Sequence, residues 1–257
     1  MDKIKDKLGF ICDMDGVIYH GNKILDGVPE FIRWIQSNNK KFIFLTNSAE
    51  RTPHELSMKL ARMGLQIPPE NFYTSAMATA EFLHSQNPGS TAYVIGEAAL
   101  TKALYDKGIY MNDVNPDYVV VGETRTYSFE KIEKAVNLVL KGAKLIGTNP
   151  DITGPVENGI APATGSLIAP IEIATGKKAY FVGKPNPLML RHGLKMLGCH
   201  SQDIAFIGDR MDTDIIAGIE SNVEAILVLS GVTKLEDIDA FPYRPNYIVQ
   251  GVGELVR

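Results

Sequence analysis

Short runs of β-branched and aromatic residues alternate along this chain with longer stretches of helical period. That alternation restricts it to α/β folds built on a mainly parallel sheet. Candidate strands lie at residues 8–12, 41–45, 179–183, 204–208 and 224–229. Between the first two runs VPEFIRWIQSNN, where Val28, Phe31, Ile32 and Ile35 fall on one helical face. Pro53 opens a second helix, with Leu56, Leu60 and Met63 as its apolar stripe and Gly64 as its stop.

The middle of the chain repeats the alternation on a smaller scale. TAYVIG (91–96), DYVVVG (117–122) and AKLIGT (143–148) read as strands, interleaved with helices near 97–107 and 128–141. This block has apolar faces of its own, which predicts an inserted domain. The expected organisation is a core in two pieces, 1–78 and 180–257, interrupted by a second α/β domain over 79–179. Turn-rich joints at QNPGS (86–90) and NPDITGP (149–155) suit surface loops.

Composition excludes several partners. With 257 residues and a net charge of −4, the chain can bury a sizeable core but lacks the basic balance of a nucleic-acid binder. Its two cysteines, Cys12 and Cys199, make neither a disulfide framework nor a zinc-ligand spacing. MDKIKDKL at the N-terminus lacks the apolar core of a signal peptide, and no apolar run approaches the length of a membrane span. The expectation is a soluble, cytoplasmic protein whose partner is a small molecule rather than a nucleic-acid polymer or a membrane.

In open parallel sheets, ligands bind beyond the carboxyl ends of the strands. The first strand ends in Asp13-Met14-Asp15-Gly16, the second in Thr46-Asn47 and the third in Gly183-Lys184-Pro185. The fourth ends in Gly208-Asp209, with Asp212, Thr213 and Asp214 close behind. Two carboxylates at the end of a buried strand repel each other and lose hydration unless a cation sits between them. Asp13, Asp15 and Asp209 supply oxygen ligands, and few ligands with open positions suit Mg²⁺ better than a calcium cage. Thr46 offers a hydroxyl and Lys184 a point charge, both suited to phosphate oxygens. Pro185 biases Lys184 toward extended backbone, with Asn186 and Pro187 as the cap and first position of the next helix. Gly16 allows a turn that residues with a Cβ resist. Each element alone also reads as an ordinary turn or a solvated charge; what points to one site is their coincidence at four strand ends of one sheet.

Other patterns carry less. GIAPATGS (159–166) lacks the spacing and lysine of a nucleotide P-loop, and GVG (251–253) is too short for a dinucleotide fingerprint. Cys12 reads as a buried strand residue. The five histidines are dispersed, and His20, the one near the acidic strand end, reads as a turn residue.

DMDGVIYHG, FLTNS, VGKPNP and GDRMDTD resemble the four motifs of the haloacid dehalogenase (HAD) superfamily. The insertion between the second and third motifs resembles the C2-type cap of its type IIA branch. YTSAMATAEFL, VNPDYVVVGETRTYSFE and LSGVTKLEDID are similar to the NagD-like phosphatases. The resemblance spans essentially the whole chain. It implies a Rossmann-like parallel-sheet core with an α/β cap, and a phosphatase acting on a small phosphorylated metabolite such as a nucleoside monophosphate or sugar phosphate. It also implies Asp13 as nucleophile, Asp15 as general acid/base, and Mg²⁺ held by the carboxylates of Asp13 and Asp209 and the main-chain carbonyl of Asp15. Thr46, Asn47 and Lys184 would bind the phosphoryl group, Asp214 would orient the metal-binding groups, and Arg210, Met211, Asp212 and Thr213 would lie close to substrate. A dehalogenase would leave Asp15 without a task, since a departing halide needs no proton. A phosphomutase, or a non-catalytic sensor of phosphometabolites, are the alternatives on the same fold. Loops around 123–126 and 149–151 are the candidates for selecting the leaving group.

Overall fold

The computed structural model describes residues 2–156 and 159–256. Gly9–Cys12 is buried along its length, as a strand must be with neighbours on both sides and helices on both faces. It pairs in parallel with Ile204–Gly208 on one side and Lys41–Thr46 on the other. Glu224–Val228 and Tyr247–Val249 extend the sheet past Ile204–Gly208, both parallel, and Phe72–Thr74 forms the opposite edge. Chain connections run outward in both directions from Gly9–Cys12, which makes its carboxyl end the place where a ligand crevice opens.

Val28–Ser37 turns Val28, Phe31, Ile32 and Ile35 inward, as their spacing predicts. There Phe31 meets Phe10 edge to face at 5.6 Å and stacks on Trp34 at 6.5 Å. Pro53–Arg62 buries Leu56 and Leu60, Met63 packs just beyond its end, and Gly64 follows with φ of 90°.

The chain packs as two units. One comprises residues 1–46, 56–73 and 184–257; the other comprises 47–55 and 74–183. The second unit has its own five-stranded parallel sheet, in the order Tyr180–Phe181, Lys144–Gly147, Tyr118–Val121, Thr91–Ile95, Tyr110–Met111. Its core gathers Ile95, Val119, Val121, Leu138, Ile168 and Ile171. Helices Ala98–Asp106 and Phe129–Leu140 fall where the periodicity put them.

Three differences from expectation have physical causes. The strand expected at 179–183 shrinks to Tyr180–Phe181 and pairs with Lys144–Gly147 in the second sheet, so three strand ends, not four, belong to the core sheet. Apolar patterning identifies a strand but not its partner. Helices Ser75–Gln86 and Thr164–Thr175 escape the periodicity because they lack a one-sided apolar stripe; the first buries Ser75, Ala76, Ala78, Thr79, Ala80 and Leu83. The joint at 149–155 is only partly loop, since Thr153–Val156 pairs antiparallel with Gly159–Pro162 as a separate two-stranded sheet. Pro155 is tolerated there because a two-stranded ribbon leaves each strand an unpaired edge. Among the described residues, no helix is long and apolar enough to cross a membrane.

Phe31 is fully buried in the aromatic cluster of the core, so truncation leaves a cavity that rigid neighbours cannot fill. Phe31→Ala should lower unfolding free energy by about 3–5 kcal/mol. Urea unfolding followed by the fluorescence of Trp34, the chain's single tryptophan, reads it directly. A loss below about 1 kcal/mol would contradict this packing.

Candidate active site

The first strand continues its ladder one residue past Cys12, the Asp13 N–H donating to the Ile207 carbonyl at 2.8 Å. The chain then turns sharply, the Met14 carbonyl accepting from the N–H groups of Val17, Ile18 and Tyr19. Gly16 takes φ of 78°, and a Cβ there would come within 2.5 Å of Asp209 Oδ2. A Cβ on Gly231 would come within 2.0 Å of the same oxygen. Both glycines are therefore required by the close approach of Asp209.

Asp209 follows Ile204–Gly208, and its Oδ2 accepts from the Val232 N–H at 2.7 Å. Asp214, fully buried in the helical turn Met211–Ile215, accepts from the N–H groups of Asp209 and Arg210 on Oδ2 at 3.2 and 3.1 Å. The Lys184 ammonium, 2% exposed, donates to Asp13 Oδ1 at 2.6 Å and to Asp214 Oδ1 at 2.7 Å. A lysine this buried persists as a cation only with such partners.

One ammonium cannot balance three carboxylates. Burial pushes the Asp13 carboxyl well above its ordinary value, with Asp214 adding to the rise and Lys184 opposing it. Asp209 is raised by burial and then by Asp214 and Asp13. Burial pulls Lys184 down, but Asp13 and Asp214 outweigh it and the net shift is upward. Oxygens of Asp13, Asp209 and Asp214 lie within 4.8 Å of one another. An all-oxygen set with excess negative charge fits a hard divalent cation. Both oxygens of Asp214 are already engaged, so Asp13 and Asp209 are the carboxylates suited to bind it.

Asp15 stands apart from this cluster. Its Oδ1 lies 3.4 Å from His20 Nδ1. His20, expected to be a mere turn residue, closes the short strand Tyr19–His20 and faces the acid. Burial raises the Asp15 carboxyl, with His20 and Lys59 working against it. Arg210 forks onto Asp212 at 3.0 and 2.7 Å, and Thr213 is buried. Met211 packs its side chain among Ile215, Ala225, Leu227 and Ile238, its N–H donates to Thr233 Oγ1 at 3.2 Å and its carbonyl accepts from the Tyr243 hydroxyl at 3.1 Å, so it supports the turn from within.

Thr46 ends the second core strand, and Asn47, the next residue, belongs to the second unit. Asn47 Nδ2 donates to Asp151 Oδ2 at 3.0 Å. The Asn47 carbonyl accepts from Asn149 Nδ2 at 2.8 Å and from Ser75 Oγ. Glu123 accepts from the Ala49 N–H at 3.1 Å and from Asn149 Nδ2 at 2.6 Å. Glu123 and Asn149 thus do not stand in free loops. Both follow strands of the second sheet at the carboxyl end, a signal available in the sequence once that sheet's strands are placed.

The comparison with known proteins agrees with this geometry. Residues 10–110 match the family described as haloacid dehalogenase-like hydrolase, and residues 181–255 match the one described as HAD-hydrolase-like. The dihydroxyacetone phosphatase of Corynebacterium glutamicum (strain R) is 47% identical over 248 residues, spanning 96% of this chain and 90% of that protein. The chain belongs to the haloacid dehalogenase superfamily. Ribonucleotide monophosphatase NagD of Escherichia coli K-12 is 45% identical over 245 residues, covering 95% of this chain and 96% of its own. The solved structure of NagD from that strain superposes with a TM-score of 0.92 at 44% identity, covering 96% and 98% of the two chains. Within the superfamily the protein is a type IIA, NagD-like phosphomonoesterase, with a Rossmann-like core and an α/β cap.

The crowded acids of this HAD core have a consequence for stability. Asp13 and Asp209 keep protons in the folded state at pH values where unfolded carboxyls, with a reference of 3.8, have lost them. The folded state therefore binds more protons, and stability falls as pH rises from the ordinary carboxyl range toward the raised values. In EDTA the melting temperature should decline from about pH 5 to about pH 8. Asp209→Asn removes one of the repelling charges and should melt higher at the alkaline end with a shallower decline. Parallel melting curves for wild type and variant would refute this by coinciding.

Proposed function

We propose that the enzyme hydrolyses small phosphomonoesters, nucleoside monophosphates or sugar phosphates, through an aspartyl-phosphate formed on Asp13 with Mg²⁺ as cofactor. The observation that carries the reading is the buried Lys184 ammonium bonded to Asp13 beside a second acid, Asp209. Such a carboxylate is oriented and faces surplus negative charge that a metal and a phosphoryl group together would reorganise. Asp13, Asp209 and the Asp15 main-chain carbonyl would hold Mg²⁺. Bound there, the ion offsets the repulsion between carboxylate and phosphate.

In the first step an Asp13 oxygen bonds to phosphorus and the ester P–O bond breaks, while Asp15 gives its proton to the departing alcohol oxygen. The raised pKa of Asp15 suits this, because the acid must begin protonated. In the second step Asp15, now a carboxylate, takes a proton from the attacking water. Phosphate leaves and Asp13 is restored. Thr46, Asn47 and Lys184 bind the transferring group, Asp214 holds Lys184 and the Asp209 backbone in place, and Arg210 to Thr213 lie near the substrate. The relatives are named for dihydroxyacetone and for ribonucleotide monophosphates, which supports a class of small esters rather than one substrate.

Phosphate release from a panel of small esters should require Mg²⁺ and stop in EDTA. Asp13→Asn should abolish it in a protein that still melts cooperatively; near-normal turnover in that variant would remove Asp13 as nucleophile.

Asp15→Asn separates the two proton transfers. An aryl phosphate departs without much protonation, so its first step should slow only modestly. An alkyl ester should lose most of the ~10²–10⁴-fold that general acid catalysis contributes. The second step needs a base for either substrate, so the aryl ester should give a burst of phenol and the alkyl ester none. Rapid-quench measurements decide the matter, and equal first-step losses without a burst would show that Asp15 is not the proton carrier.

A further inference from the structure

Glu123 is an acid that the reaction itself does not use, in a place where an acid is expensive. It follows the strand Tyr118–Val121, is part-buried, and forms no ion pair among the described residues. A carboxylate withdrawn from water without a cation is destabilising relative to a neutral residue of similar shape, so stability alone does not account for it. Withdrawal from water pushes its carboxyl up to about 7, against hydrogen bonds from Asn149 and Ala49 that favour the charged form.

Its contacts show what the charge does. Oε2 accepts from the Ala49 N–H at 3.1 Å and Oε1 from Asn149 Nδ2 at 2.6 Å. Two donors face the two oxygens, an arrangement that favours the ionised carboxylate; an amide would turn an N–H toward one of them. The same Asn149 nitrogen also donates to the Asn47 carbonyl at 2.8 Å. Asn47 in turn donates through Nδ2 to Asp151 Oδ2 at 3.0 Å, and the Asp151 N–H returns to Asn149 Oδ1 at 3.1 Å. The bonds close a ring through Asn149, Asn47 and Asp151. Glu123 anchors that ring on one side and grips the backbone two residues beyond Asn47 on the other.

We infer that Glu123 is a positioning residue for the phosphoryl-binding segment. Through Ala49 and Asn149 its carboxylate fixes residues 47–49, so that the segment carrying the Asn47 side-chain amide is held in one conformation before substrate arrives. A misplaced binding group costs rate far from the chemistry itself. The inference rests on the reading of Asn47 as a phosphoryl ligand.

A double-mutant cycle tests it, with kcat/KM for a small phosphate ester as readout. Glu123→Gln keeps the shape but loses one of two charge-assisted bonds, and should lower kcat/KM about tenfold in the wild-type background. In an Asn47→Ala background the same change should cost no more than about twofold, the margin for uncoupled sites. An equal loss in both backgrounds would show that Glu123 merely supports the fold, and no loss in either would also overturn the inference. A fully active Asn47→Ala single variant is a separate result: it would overturn the assignment of Asn47 and the inference with it. Should Glu123→Gln fail to fold, Glu123→Asp, which withdraws the carboxylate from Ala49 and Asn149 by one methylene and leaves Asn149 and Asn47 untouched, is carried through the same cycle with the same outcomes.

Discussion

A single buried ammonium organises the core. Lys184 bonds Asp13 and Asp214, partners 171 and 30 residues away along the chain. Removing it would leave two buried carboxylates facing each other with Asp209 close by, and removing either acid would leave a buried cation short of a partner. Breaking one side of such a group is strongly destabilising, while the intact group is far less so. Lys184 is also the residue at which the chain returns to the first unit after the second.

The residues around that ion group show how a parallel sheet makes a reactive place from ordinary material. Beyond the carboxyl ends of Gly9–Cys12 and Ile204–Gly208, the side chains no longer have strand neighbours above them, and Asp13 and Asp209 fill the opening. Backbone N–H groups stabilise the arrangement: those of Asp209 and Arg210 bind Asp214, and that of Val232 binds Asp209. Glycine at 16 and 231 admits Asp209 so closely that any side chain there would displace it. The cap applies the same geometry to a different end, with Glu123 and Asn149 beyond its own parallel strands, gripping the segment that carries Asn47.

The acids are kept at the expense of stability. Apolar replacements would relieve the repulsion that raises Asp13 and Asp209, yet they would remove the oxygen atoms proposed to bind the metal and the carboxylate proposed as nucleophile. This tension between what holds a fold together and what reacts is common at catalytic sites, and the surplus negative charge is the local form it takes here.

Sequence alone determined the fold class, the inward face of Val28–Ser37 and the acid and lysine positions of the core motifs, because periodicity and strand-end chemistry are local properties of the chain. It also pointed to 123–126 and 149–151 as loops of interest. Tertiary structure decided what local pattern could not carry. Tyr180–Phe181 joined the cap sheet, since two residues of apolar pattern do not specify a partner strand. His20 came to face Asp15, and Glu123 to bond Ala49 and Asn149, through contacts that exist only after folding. The pKa shifts belong to the same category: an aspartate in a sequence has its ordinary affinity for protons, and only burial beside other charges changes it.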